Sequence, residues 1–166
     1  SGEVRFVDSQ IQKLIEGVGA LYNPDTTIIA VVADHGENLY EHEGYLDHSR
    51  VVYDTVMWIP CLIHLPGCGG KRIADLASIV DVMPTLLDLM GIEMQDGEGY
   101  SLVGLMEADD SPPVRSYATC ETNDFGVKEE DQAIAIRTTA IKYIYNNWMS
   151  GKSQFFDVQE SPRERR

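Results

Sequence analysis

The chain has 166 residues, of which 43% are hydrophobic and 24% charged, the profile of a globular domain large enough for a real core. A formal charge of −14 sets it against nucleic acid and anionic membrane surfaces, which carry the same sign, and no stretch reaches the apolar length of a membrane span. Cys61, Cys68 and Cys120 are odd in number and without CxxC spacing, which disfavours a disulfide framework or a zinc knuckle.

In chain order, Phe6, Ile11, Leu14, Ile15, Val18 and Leu21 recur at helical spacing and predict an amphipathic helix over 4–21. Asn23-Pro24-Asp25 is a turn. The β-branched run 27–33 predicts a fully buried strand, and a second follows at 58–65, ended by Pro66-Gly67. A short helix is expected near 49–55 between them. Cys61 reads as a small core residue and His64 as a structural one. Two buried strands among helical patterns predict neighbours in a mostly parallel sheet. Asp81 as cap, Pro84 in the first turn and Gly91 as stop outline a short helix over 82–90. Residues 92–113, rich in Gly, Asp, Glu, Ser and Pro, predict a connecting loop. Strands are then expected at 114–120, 133–137, 141–145 and 155–158, with Thr138-Thr139-Ala140 as a hairpin connection, before a charged tail. The partition is therefore 1–91, 92–113 and 114–166.

The chemistry concentrates after the first strand, where Asp34, His35 and Gly36 end the apolar run and His42 and His48 follow. A carboxylate and an imidazole at the end of a buried strand are costly unless something uses them, and strand carboxyl ends are where open α/β sheets bind ligands. Adjacent side chains on a strand point to opposite faces, so Asp34 and His35 reach one ion only if the chain turns, which Gly36 permits. An oxygen and a nitrogen donor suit manganese, zinc or iron, without excluding calcium. The competing reading makes Asp34 a cap and His35 a packed ring satisfied by a carbonyl. Clustering of three of the four histidines in one segment favours the functional reading.

The segment ADHGENLYEHEGYLDHSRVVYDTVMWIPCLIHLPG resembles the second metal-site segment of the sulfatases, a branch of the alkaline phosphatase superfamily. The pieces are Ala33-Asp34-His35-Gly36-Glu37, then Tyr40-Glu41-His42-Glu43, then His48, Tyr53-Asp54 and Ile59-Pro60 through Pro66-Gly67. Ser78 to Gly91 resembles the family's SxVDLxPTLLDLAGI, and Gly99-Tyr100-Ser101-Leu102 its G-x-S-L. Ala135-Ile136-Arg137-Thr138 with Lys142-Tyr143-Ile144 is similar to its AVRTxxYKYI hairpin, and Phe155 to Val158 with Ser161 to Glu164 to its LYDLxxDPxE.

This resemblance implies the C-terminal part of a three-layer α/β/α sulfatase/alkaline-phosphatase-like fold with a small antiparallel C-terminal β subdomain. It implies Asp34 and His35 as metal ligands and His48 as the group that contacts sulfate or phosphate oxygens or protonates the leaving group. His42 becomes a nearby residue, either behind the ligands or on the substrate side, while Arg137 and Lys142 fall in the hairpin and read as surface charge. The implied cofactors are a divalent metal ion, calcium first by family with manganese or zinc as alternatives, and a formylglycine nucleophile. The family's nucleophile motif, C/S-x-P-x-R, lies before the DHG strand, and none of the cysteines here opens it. Ser111-Pro112-Pro113-Val114-Arg115 fits its letters, but in a polar loop after that strand. The expected partners are thus a sulfate or phosphate ester, the missing N-terminal half of the same protein and, through an exposed sheet edge, a second copy of the chain. Other readings are a phosphatase, phosphodiesterase or phosphoethanolamine transferase of the superfamily, or a non-catalytic module.

Overall fold

The structure is a computed structural model that describes residues 2–42, 46–48, 51–123, 132–146, 153–161 and 164. Two compact units divide it: residues 1–32 with 60–70, and residues 33–59 with 71–166.

In the first unit, helix α1 (Gly2–Leu21) matches the amphipathic pattern and ends ahead of a one-turn 3-10 helix at Pro24–Thr26. Asn23 caps that turn, its side chain accepting from the Asp25 N–H at 2.9 Å. Strand β1 (Ile29–Val32) pairs with β4 (Cys61–His64), Ile29 opposite His64 and Val32 opposite Cys61. The two strands are neighbours as expected, but the pairing is antiparallel. A parallel pair needs a crossover that returns the chain to its starting end, usually a helix of several turns. Among the described residues between these strands the sole helix is α2 (Asp54–Met57), a single turn. Burial differs too. β1 alternates between half-buried and exposed, and β4 is exposed except at Ile63, so Cys61 and His64 face solvent. α1 buries no side chain, and Phe6, Leu14 and Leu21 are exposed. One helix over a two-stranded ribbon offers too little surface to enclose them.

The second unit opens with the Asp34–Gly36 turn and a small hairpin, β2 (Asn38–Leu39) with β3 (Leu46–Asp47). The expected helix over 49–55 lies later, at α2; residues 49 and 50 are outside the described ones. A 3-10 turn (Ile79–Asp81) leads into α3 (Val82–Leu89), which carries Pro84 in its first turn. α3 stops at Gly91, whose φ of 69° lets the Ile92 N–H reach back to the Leu87 carbonyl at 2.9 Å. Asp81 is wholly buried and does more than cap. Its carboxylate accepts from the N–H groups of Ser78 at 2.8 Å and Tyr100 at 2.9 Å, and pairs with the Arg115 guanidinium. The Gly99 backbone passes so close that a Cβ there would lie 2.2 Å from the Val80 carbonyl oxygen. The segment expected as a loop holds a further helix, α4 (Val103–Glu107), seated through buried Leu102 and Leu105.

Four strands form the C-terminal meander in the order β5 (Ala118–Asn123), β6 (Gln132–Arg137), β7 (Ile141–Asn146) and β8 (Gln154–Asp157), all antiparallel. Its inner face supplies Ala133, Ala135, Ile144 and Phe156 to a core completed by Val51, Val52, Tyr53 and Val56. The segment around α2 is thereby packed on the C-terminal sheet. Such long-range packing is why the compact units differ from the sequence-based partition at 91 and 113.

Cys120 packs against this core, and burial pushes its thiol up to about 11 despite the Lys142 ammonium nearby. At pH 8 its thiolate fraction, and hence its alkylation by iodoacetamide, should fall about a hundredfold below that of an ordinary thiol. Peptide mass spectrometry should find exposed Cys68 and Cys61 modified first. Cys120 labelled as fast as Cys68 would show that this core opens readily.

Candidate active site: the Asp34–His35–His48 face

Asp34 and His35 lie in one tight turn. The Asp34 Oδ1 accepts from the His35 backbone N–H at 2.9 Å, and its Oδ2 stands 3.8 Å from the His35 Nε2. The His35 backbone N–H, then Asp34's own N–H and the His35 imidazole, hold the Asp34 carboxyl below its ordinary range. The other His35 nitrogen, Nδ1, lies 2.8 Å from the Gly36 carbonyl oxygen. A carbonyl only accepts, so Nδ1 donates there, and Nε2 is the ring nitrogen that faces Asp34. The capping and packing roles that Asp34 and His35 could have had are thus present in part, through backbone contacts. They leave one oxygen and one nitrogen donor facing each other on an exposed surface.

Gly36 makes the turn possible. Its N–H donates to the Val56 carbonyl at 2.6 Å, and a Cβ there would lie 2.2 Å from the Thr55 carbonyl oxygen. The turn rests directly on the backbone of α2, where no side chain fits.

His48 joins this face from β3's end. Its ring stacks on that of His35 with centroids 4.0 Å apart and planes 19° from parallel. Its Nδ1 lies 3.0 Å from the Glu37 carboxylate, which accepts the Nδ1 proton and orients the ring. Asp34, His35 and His48 therefore gather in one place, with Glu37 as a partner that the sequence did not single out.

His42 lies apart from this exposed face, which goes against the substrate-side half of its expectation. Its ring is buried and stacked on Tyr53, centroids 3.9 Å apart, with Nε2 3.9 Å from Glu164. An imidazole enclosed between an aromatic ring and a carboxylate is a packing group. Arg137 and Lys142 correct a second expectation. They are in the hairpin, as expected, but Lys142 is 1% exposed, and both cations pair with buried Asp54. Glu164, in the charged tail, is buried too, its carboxylate 2.7 Å from the Lys142 Nζ. Burial pushes the Glu164 carboxyl above its ordinary range, against the pull of the ammonium. The Tyr53-Asp54 letters held the signal for this network, but nothing local named its partners.

The SPPVR letters have a structural use. Ser111 Oγ donates to the Gly104 carbonyl at 2.6 Å, and the Arg115 guanidinium is held on Asp81. Neither side chain belongs to the Asp34–His35–His48 face.

A family model of the sulfatases matches residues 1–92, and this chain belongs to the sulfatase family of the alkaline phosphatase superfamily. It is 30% identical to an arylsulfatase of Clostridium perfringens over 98% of its length and 34% of that protein's. It is 33% identical to arylsulfatase K of Gallus gallus over 90% of its length and 29% of the relative's. Among solved structures, one bound to its substrate D-glucosamine-2-N,6-O-disulfate superposes with a TM-score of 0.76 at 27% identity, covering 97% of this chain and 33% of that one. A 2-O GAG sulfatase superposes with a TM-score of 0.81 at 22% identity, covering 96% of this chain and 35% of that one; it supports the fold alone. The chain spans about a third of the length of the relatives it matches.

Two donors 3.8 Å apart lie within twice a metal–ligand distance of about 2.0–2.4 Å, so one divalent cation can touch both. Among the described residues no group of three or more His, Cys, Asp or Glu side chains could hold an ion alone. The pair therefore fits part of a metal site.

Proposed function

We propose that this chain is the metal-ligating C-terminal part of a sulfatase that hydrolyses sulfate esters. The observation that carries the reading is the facing of Asp34 Oδ2 and His35 Nε2 beside the stacked His48 ring. Asp34 and His35 would hold a divalent cation, with calcium, manganese or zinc all compatible with a mixed oxygen and nitrogen set. Bound there, the ion would offset negative charge building on the sulfuryl oxygens. His48, its Nδ1 proton held by Glu37, would in its imidazolium form donate its Nε2 proton to a sulfate oxygen or pass it to the leaving alcohol oxygen as the S–O bond breaks. The nucleophile, a formylglycine in this reading, and the remaining ligands would come from a part of the parent protein outside these 166 residues. The exposed apolar side chains of α1 would meet that part, or in its absence a second copy of the chain. A sulfated sugar in one similar structure supports a sulfate ester as the substrate class.

The test pairs binding with turnover. Zinc or manganese added to this chain should perturb the ring nitrogen signals of His35 by NMR, and calcium should compete. The full-length gene product should hydrolyse 4-nitrophenyl sulfate, and this chain should not. Metal-dependent turnover by this chain, lost in Ser111→Ala, would overturn the reading that its nucleophile lies elsewhere.

A further inference from the structure

The Asp34–Gly36 turn has no anchor of its own. Among the described residues the hydrogen bonds of Asp34 and His35 run to neighbouring backbone, and the firm contact is that of Gly36 with the carbonyls of α2. Thr55 adds a second tie, its hydroxyl donating to the Asn38 Oδ1 at 3.3 Å. α2 is a single turn, too short to hold its own position by helical cooperativity. What fixes it lies more than eighty residues onward. The Asp54 carboxylate accepts from Lys142 Nζ at 2.7 Å and from Arg137 Nε at 3.1 Å, while the Asp54 backbone N–H donates to Glu164 Oε2 at 2.6 Å. Lys142 Nζ also stands 2.7 Å from Glu164 Oε1, so one ammonium bridges both carboxylates. At the other end of α2, the Arg137 guanidinium sits 5.2 Å above the Trp58 ring centre.

We propose that Lys142 is a positioning residue for the candidate metal-binding turn: its buried ammonium clamps Asp54 and Glu164, and through α2 it sets where Gly36, and so Asp34 and His35, stand. This deepens the sulfatase reading above and rests on it for the turn's role. The physical case is one of charge. Without the ammonium, no lysine or arginine among the described residues bridges Asp54 to Glu164, so the Asp54 end of α2 loses that tie and also faces a second buried carboxylate. A buried lysine that only stabilised the sheet would affect β7 and its neighbours. A clamp on α2 affects Gly36 first.

Amide hydrogen exchange on the metal-free chain separates these roles. Lys142→Met should speed exchange at Gly36 by about tenfold or more relative to Ile144 in the central strand β7, because local opening precedes global unfolding. Glu164→Gln keeps the Lys142–Asp54 pair and an acceptor for the Asp54 N–H, and should leave Gly36 protected. Where Lys142→Met fails to fold, Lys142→Met/Glu164→Gln removes the excess carboxylate charge and is read instead. That double variant should regain the protection of Ile144 without regaining that of Gly36. Gly36 and Ile144 changing in parallel across the variants would overturn the proposal. Failure of the metal reading is a separate result: the His35 ring of the unmodified chain would not respond to manganese, whatever the exchange at Gly36.

Discussion

Replacing Asp34 by Ala should bring sulfate-ester hydrolysis by the full-length gene product down at least about a hundredfold, the scale on which loss of one preorganised electrostatic group acts. The fold should hardly notice. The Asp34 side chain is 87% exposed, and among the described residues its hydrogen bonds run to adjacent backbone N–H groups. The melting temperature should therefore move by no more than about 2 °C. Asp34→Asn keeps an oxygen but loses the charge, and should recover part of the activity when calcium or manganese is raised. The measurement is 4-nitrophenyl sulfate turnover against metal concentration, with melting curves on the same samples. Full turnover in Asp34→Ala would remove this residue from the metal site. A large drop in melting temperature would mean that the turn is structural after all.

Asp81→Ala should produce the opposite pattern, a severe loss of stability without a direct effect on the site. Asp81 is fully buried, and its carboxylate answers two backbone N–H groups and the Arg115 guanidinium. Removing one partner of a buried ion pair costs about 3–5 kcal/mol, because the other charge stays behind without compensation. The N–H groups of Ser78 and Tyr100 would lose their acceptor as well. Set against a total stability of about 5–15 kcal/mol for a domain, the chain would be close to unfolding at room temperature. Arg115→Met/Asp81→Asn, which removes both charges and keeps one acceptor, should restore much of the loss. Urea titration followed by tryptophan fluorescence reads both variants. A loss under about 1 kcal/mol in Asp81→Ala would show the pair to be dispensable.

The Asp81 network shows how far local reading goes. Its place before α3 is written in the spacing of Pro84 and Gly91, but the salt bridge to Arg115 spans thirty-four residues and has no local signature. The same holds at the candidate site. The Asp34-His35-Gly36 letters, with His48 at the end of the same segment, mark the turn because every participant is close in sequence. Gly36 was legible only as freedom for the chain to turn, and its close approach to Thr55, which excludes a Cβ, had no local signature. The two places open to His42 could not be told apart locally: proximity in sequence to His35 and His48 suggested a shared face, whereas Tyr53 and Glu164 lie against it.

By itself the sequence determined the family, the longer helices and strands and the place of the Asp34–Gly36 turn, because periodicity, turn residues and clustered polar groups act over a few residues and leave their pattern in the letters. The tertiary structure alone decided that β1 and β4 run antiparallel, that Lys142 and Glu164 are interior, and that α2 is held by the C-terminal sheet. Strand direction depends on the path of the intervening chain. Likewise, the burial of a charge depends on a partner of opposite sign far along the chain, and only the folded backbone brings the two within 3 Å.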